Sequence, residues 1–322
     1  MSKTLWTGLL ILLIVMLSSS FLFLPKEAGK QESNQAGLKP DSNSGDSVDM
    51  HGDRPGRFNS LEFQAGINLL VYGQPDLAKA AILFEHLKKL GMNSLAIAYP
   101  LSQSGWQASE VKIDPAITPD MAKIRGLIRS AKANNFYIML RPILDENNLT
   151  PTGHWRGTIE PENAEAWFTS YRSLILPYVE LAQQEHVENF NIGTELNSLQ
   201  RNLYVDEWIR LIEEIRKIYR GGLIYSFNWD CYYEIPSTGF VPMLDYTGID
   251  AYFPLDVSKD AGTRELEKAW EVWIERIKEA VTGKIIVTEA GIIPAANAYL
   301  QPYTWSIPGK KIDRTAQSKY YE

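Results

Sequence analysis

The sequence is poor in the residues on which many chemistries depend. Among 322 residues there is one cysteine, Cys231, so no disulfide can form within the chain and every Cys-rich metal site is excluded. Four histidines, with no HExxH stretch and no pair at ligand spacing, leave a zinc enzyme without ligands; no metal and no other cofactor is expected. Basic charge is not in excess. Lys and Arg number 32 against 39 Asp and Glu, a net charge of −7, which argues against a nucleic-acid partner. No G-x-G-x-x-G follows the first predicted strand and no Walker loop occurs. Hydrophobic residues at 45% and charged residues at 22% exclude a wholly disordered chain, a collagen or a coiled coil.

What the chain does have is ordered from its amino terminus. Lys3 precedes a charge-free apolar run from Leu5 to Leu24, close to the ~20 residues a helix needs to cross a bilayer. A basic start and an apolar stretch also describe a secretory signal, but no clear A-x-A site follows. Residues 1–24 are therefore read as a signal anchor in preference to a cleaved signal peptide. Either reading exports the rest, as a membrane-anchored extracytoplasmic domain or a secreted one. Residues 25–57 are rich in Gly, Ser, Asn, Asp and Pro and nearly free of aromatics, the composition of a disordered linker. The folded domain spans 58–322 and is expected to be a monomer.

Within that domain short β-branched and aromatic runs alternate with longer amphipathic ones, the pattern of an α/β protein with a parallel sheet. Strands are predicted at 66–72, 93–101, 136–144, 189–197, 222–230, 246–254 and 284–292, with helices near 76–90, 118–134, 161–185, 204–219 and 263–281. This spacing suits a (β/α)8 TIM barrel of about 250 residues; a doubly wound sheet is the alternative. After the seventh predicted strand, Ile292 to Ile312 is interrupted by Pro294, Pro302, Pro308 and Gly309, and Asp313 or Thr315 opens a last helix. The barrel is thus expected to be truncated before strand eight, the chain to be a fragment, and its first and seventh strands to face each other across a gap.

Barrel enzymes place their chemistry at the carboxyl ends of the strands. Two carboxylates stand out there. Glu195 closes FNIGTELN and Glu289 lies in IIVTEAGI, both late in otherwise apolar strands where an unpaired charge is costly. Two carboxyl groups facing one another across a barrel mouth are what glycosidic bond cleavage requires: one protonates the leaving oxygen, the other attacks or assists at the anomeric carbon. The plainer alternative is a structural ion pair, for example with Arg141.

The stretches LRPILDENN, HWRG, IEPENAEAWFTSY, NIGTELNS, GIDAYFP and VTEAGI, in this order, resemble glycoside hydrolase family 113, in clan A, over essentially the whole folded region. That family is known mainly for retaining endo-β-1,4-mannanases. The resemblance implies Glu195 as general acid/base and Glu289 as nucleophile, Arg141 charge-stabilising Glu289, and Tyr252 donating to it. Ionised Glu289 is expected to raise the pKa of Glu195. Many clan members carry Asn before the acid/base, gripping the sugar 2-hydroxyl. Here Thr194 stands in its place, so that contact is expected from Asn228 or another group.

Aromatic wealth, nine Trp and sixteen Tyr, suits both a large core and the stacking of sugars. Trp229, Trp155, Tyr72, Tyr99 and Trp305 are the candidate platforms, with Asn228 beside Trp229 to meet hydroxyls. Trp167, Trp208, Trp270 and Trp273 lie in helical patterns and are expected to pack against the barrel. The partner so implied is a β-linked, mannan-like polysaccharide or oligosaccharide. Two further functions remain open at this stage: a catalytically silent carbohydrate-binding or cell-surface scaffold protein, and a transglycosylase.

Overall fold

The computed structural model describes residues 63–306, 309 and 311–322, together with the backbone of 16–21. Strand β1 (Met16–Phe21) precedes β2 (Phe63–Leu70), and the chain then alternates: α1 (Leu77–Lys89), β3 (Ser94–Leu101), α2 (Met121–Ala133), β4 (Tyr137–Leu144), α3 (Ala164–Gln184), β5 (Asn189–Thr194). It continues with α4 (Val205–Ile218), β6 (Gly222–Asn228), β7 (Tyr246–Asp250), α5 (Thr263–Ala280), β8 (Ile285–Glu289) and α6 (Arg314–Tyr321). Strands β2 to β8 pair in chain order, all parallel, and form a nearly closed barrel. They are the seven predicted strands.

Local chemistry sets the ends of the helices. Asp76 caps α1 by accepting from the amides of Ala78 and Lys79, and Gly91 beyond its end takes a φ of 88° that disfavours a side chain. Asp313 caps α6 in the same way, through Thr315 and Ala316. Helix α2 starts later than predicted, because Thr118 turns its hydroxyl to Pro100 O and pins the loop.

No eighth parallel strand follows β8 among the described residues. The chain there makes a short 3-10 turn, Ala298–Leu300, and an isolated bridge between Ala295 and Ile312 before α6. Between β8 and β2 runs the backbone of β1, antiparallel to β2. Otherwise the predicted anchor (1–24) and linker (25–57) lie outside the described residues. No helix among the described residues is long and apolar enough to cross a membrane.

Side chains fill the barrel in layers, the lowest holding the buried Gln64, Ser94 and Asn189. Ala96, Met139, Ile224, Tyr246 and Ile286 form an apolar layer. Above it the interior turns polar, with Asn68, Arg141, Ser226, Asp250 and Thr288 all buried. Between helices and barrel, Trp167, Phe168 and Tyr171 of α3, Trp208 of α4 and Tyr225 of β6 are fully buried, each contributing about 1.5–3 kcal/mol or more by area. Trp270 and Trp273 are partly buried against the same core, and Cys231 is buried.

Tyr99 belongs to this outer layer, which corrects its reading as a sugar platform. Register pairs Ala98 with the inward-facing Arg141 and Tyr99 with Pro142, so alternation turns the Tyr99 ring away from the barrel interior. It is fully buried, 4.4 Å between ring centroids from Tyr178 of α3.

Gly193, just before Glu195, is held against the same aromatic layer. A Cβ there would lie 2.6 Å from the Tyr225 ring and 3.0 Å from that of Trp208. Gly193→Ala is therefore expected to overpack the core at a cost of about 1–3 kcal/mol, lowering Tm by about 2–4 °C per kcal/mol. Thermal unfolding of the variant checks this; an unchanged Tm would show that β5 is free to move.

Candidate active site

Glu195 and Glu289 both arrive at the mouth through a fault in strand alternation. On β5, Asn191 and Thr194 both face inward, and the register with β6 shifts between them. Asn191 stabilises that bulge by accepting the Gly193 amide at 3.0 Å. Glu195 then adopts a left-handed φ of 51°, which for a non-glycine costs about 1–2 kcal/mol and brings its side chain inward directly after that of Thr194. A second shift separates the Ile249–Val287 and Asp250–Glu289 pairs, so Thr288 and Glu289 both reach the interior.

Arg141, with no solvent exposure, binds these pieces together. Its Nη2 lies 2.7 Å from Asp250 Oδ2 and 2.8 Å from Glu289 Oε1. Nε donates to Thr194 Oγ1 at 3.1 Å, and Nη1 to Thr288 O at 3.3 Å. Thr288 Oγ1 donates to the other oxygen of Asp250 at 2.7 Å. The second oxygen of Glu289 accepts from the Tyr252 hydroxyl at 2.5 Å. Both oxygens of Glu289 are thus held by donors, as the resemblance implied for Arg141 and Tyr252.

Glu195 sits differently. Its Oε2 accepts from Arg156 Nη1 at 2.9 Å, while Oε1 accepts no hydrogen bond among the described residues. Burial pushes its pKa up to about 8, helped by the charges of Asp250 and Glu289 and opposed by Arg156 and Arg141. Burial, more than the expected proximity to Glu289, is the leading cause. Asp250 is also pushed up by burial, to about 7, against the pull of Arg141. For Arg141 burial works against the charge, but Asp250 and Glu289 outweigh it and the guanidinium stays protonated. The Tyr252 phenol is held well above its usual value by burial and by Glu289, so it remains a donor.

Around this centre the remaining candidates fall into place unevenly. Asn228, at the end of β6 and paired in register with Asp250, is buried, and its Oδ1 has no hydrogen-bond partner among the described residues. Trp305 is 60% exposed, its ring meeting Tyr252 edge-on at 5.9 Å. Trp229 is half-buried and stacks on Tyr303 at 5.4 Å. Trp155 lies across Gly157 on the loop that carries Arg156. Tyr72, exposed at the rim, donates to Asp145 Oδ2 at 2.5 Å. Two residues of the centre were not assigned a role from the sequence. Asp250 has a visible signal, since Gly248, Asp250 and Tyr252 alternate on one face of GIDAYFP. Arg156 has only its place in HWRG, within a loop whose path the sequence does not disclose.

Comparison with known proteins bears on this geometry. The family model described as Glycoside Hydrolase Family 113 matches residues 71–322. Among solved structures, the GH113 β-mannanase AaManA from Alicyclobacillus acidocaldarius, in complex with ManMIm, is similar at 20% identity. The match covers 80% of this chain and 79% of that one, with a TM-score of 0.67. Another GH113 β-1,4-mannanase structure is similar at 22% identity over 80% and 81% of the two chains, TM-score 0.66. A complex of a GH113 β-1,4-mannanase follows at 23%, over 76% and 75%, TM-score 0.63. At these identities the likeness is one of fold, the TIM barrel. No curated protein matches the chain significantly.

The burial of Glu195 has a thermodynamic consequence. With a folded pKa near 8 against an ordinary 4.5, the native state binds more protons than the unfolded chain between these values. Its contribution to stability is therefore present at low pH and declines as pH rises from about 4.5 to about 8. Glu195→Gln, which cannot ionise, should gain Tm relative to wild type as pH is raised across this window. Parallel melting curves from pH 5 to 8 check the sign; a constant difference would mean that Glu195 ionises normally.

Proposed function

The chain belongs to glycoside hydrolase family 113, and from that membership and the asymmetry of its two carboxylates we propose a retaining glycosidase that cleaves a β-1,4-linked, mannan-like polysaccharide internally. Glu195 protonates the glycosidic oxygen as Glu289 attacks the anomeric carbon, breaking the bond to the leaving sugar. Water then displaces Glu289 from the glycosyl-enzyme, giving its proton to Glu195. The observation that carries the assignment is the split environment. Glu289 has both oxygens held by donors, Arg141 and Tyr252, the setting of an ionised nucleophile; burial raises Glu195 to about 8, the setting of an acid.

Substrate class rests on different support. The similar structures are of β-mannanases, and Trp305, exposed beside the Tyr252 that holds Glu289, supports an aromatic face for a pyranose. Thr194 is occupied by Arg141, which supports Asn228, its Oδ1 unpartnered among the described residues, as the acceptor of a sugar hydroxyl.

A panel of polysaccharides with product masses, and proton NMR of the first-formed anomer, tests this reading. Glu289→Ala is expected to reduce kcat/KM more than tenfold while the fold survives. Retention of over a tenth of activity, a loss below ~1.4 kcal/mol, would remove Glu289 from its role. An inverted first product would refute retention.

A further inference from the structure

The mechanism above leaves unused a half-buried cation, Arg156, whose side chain is 17% exposed. Arg156 reaches Glu195 from the loop after β4, and that loop is built to hold it. Its Nε donates to Leu144 O at 3.2 Å and pairs with Glu146 Oε1 at 3.2 Å, and its own amide donates to the same Glu146 oxygen. Behind it the Trp155 ring covers Gly157 so closely that a Cβ there would lie 2.4 Å from the indole. The loop is in turn tied to the segment that follows Glu195. Ser198 N donates to Gly157 O at 3.1 Å, and Ser198 Oγ to Ile159 O at 2.5 Å. Guanidinium and carboxyl are thus carried by two loops fastened to each other.

We propose that Arg156 is the positioning residue of the acid/base. Its guanidinium fixes Glu195 Oε2, leaves Oε1 to meet the glycosidic oxygen, and stabilises the carboxylate that remains once the proton has passed to the leaving group. This rests on the assignment of Glu195 given above. The need for such a cation follows from burial. A carboxyl group that is easily kept protonated in a dry site is, for the same reason, reluctant to give its proton up. The other charged groups facing Glu195 are Asp250 and Glu289, which disfavour its charge, and Arg141, whose contacts with Asp250 and Glu289 commit it elsewhere; the phenols of Tyr252 and Tyr225 beside it stay protonated. Arg156 alone of the two cations donates directly to Glu195, and Glu146 on its far side draws on the same guanidinium.

The test uses the full chain with Arg156→Gln, Arg156→Lys, Glu146→Gln and Glu195→Ala. The first readout needs no substrate: a 13C NMR titration of the Glu195 carboxyl. Arg156→Gln should move its midpoint up by about one pH unit or more. Arg156→Lys should restore most of the shift, and Glu146→Gln, which frees the guanidinium for Glu195, should move the midpoint down. The second readout is kcat/KM on β-1,4-mannotetraose and on 2,4-dinitrophenyl β-mannobioside, whose leaving group needs no proton. Arg156→Gln should lose about 10–100-fold on the first and less than about threefold on the second. An unmoved midpoint, or equal losses on both substrates, would overturn the proposal and leave Arg156 as a fastener between loops. Should Arg156→Gln not fold, the Lys and Glu146→Gln titrations decide alone. Glu195→Ala separates this from the parent reading. If azide restores its turnover of the dinitrophenyl glycoside, Glu195 is the acid/base and only Arg156 is at issue. If Glu195→Ala still cleaves mannotetraose at the wild-type rate, the assignment of Glu195 falls and Arg156 falls with it.

Discussion

A guanidinium shut off from solvent organises this protein. Arg141 rises from the middle of the barrel into a ring of acceptors drawn from three strands: Thr194 after β5's bulge, Asp250 on β7, and Thr288 and Glu289 on β8. Removing one member of such a buried pair typically costs 3–5 kcal/mol, because the charge left behind has no water to turn to. The hydrogen bonds of the polar layer continue from Thr288 to Ser226 and on to Asn191, so the bulge that delivers Glu195 is linked to the arginine through a chain of side chains.

That network explains why two irregularities are tolerated at strand ends. A regular strand sends neighbouring side chains to opposite faces. The site needs neighbours on the same face: Thr194 with Glu195, and Thr288 with Glu289. In each pair the first residue bonds to the buried ring and the second faces the mouth. Support and chemistry are thus stacked in consecutive residues, at the expense of a bulge and one left-handed backbone. Gly193 belongs to the same device, since the bulge turns it against Tyr225 and Trp208 where no side chain fits.

How much of this could be read from the sequence follows from which signals are local. The β/α alternation was legible because strand and helix periods and caps such as Asp76 and Asp313 are short-range, and predicted ends fall within a few residues of the observed ones. Glu195 and Glu289 were legible because a carboxylate in an apolar run is an anomaly in one dimension. Tyr99 was misplaced for want of register: whether a strand residue faces in or out is settled by its neighbour strand, here by the pairing of Ala98 with Arg141. Arg156 gave no signal, since a loop's path is set by contacts made after the barrel forms. The partnership of Asp250 with Arg141 spans 109 positions and could not be seen along the chain.

Sharing one nitrogen of Arg141 between two carboxylates has an electrical consequence for turnover. On the proposed reaction, Glu289 becomes an ester and loses its charge when the first bond breaks. The guanidinium then keeps Asp250 as its carboxylate partner, and the negative charge passes from Glu289 to Glu195, so the net charge of the mouth is unchanged. Glu289 is among the groups that hold Glu195 in its protonated form. With that charge neutralised, Glu195 is more acidic during the second half of the cycle, when it must stay ionised long enough to take a proton from water. Release of the sugar restores the charge and with it the proton affinity. The site thus resets its own acid without any moving part, and the interval between the two settings is the lifetime of a single covalent bond.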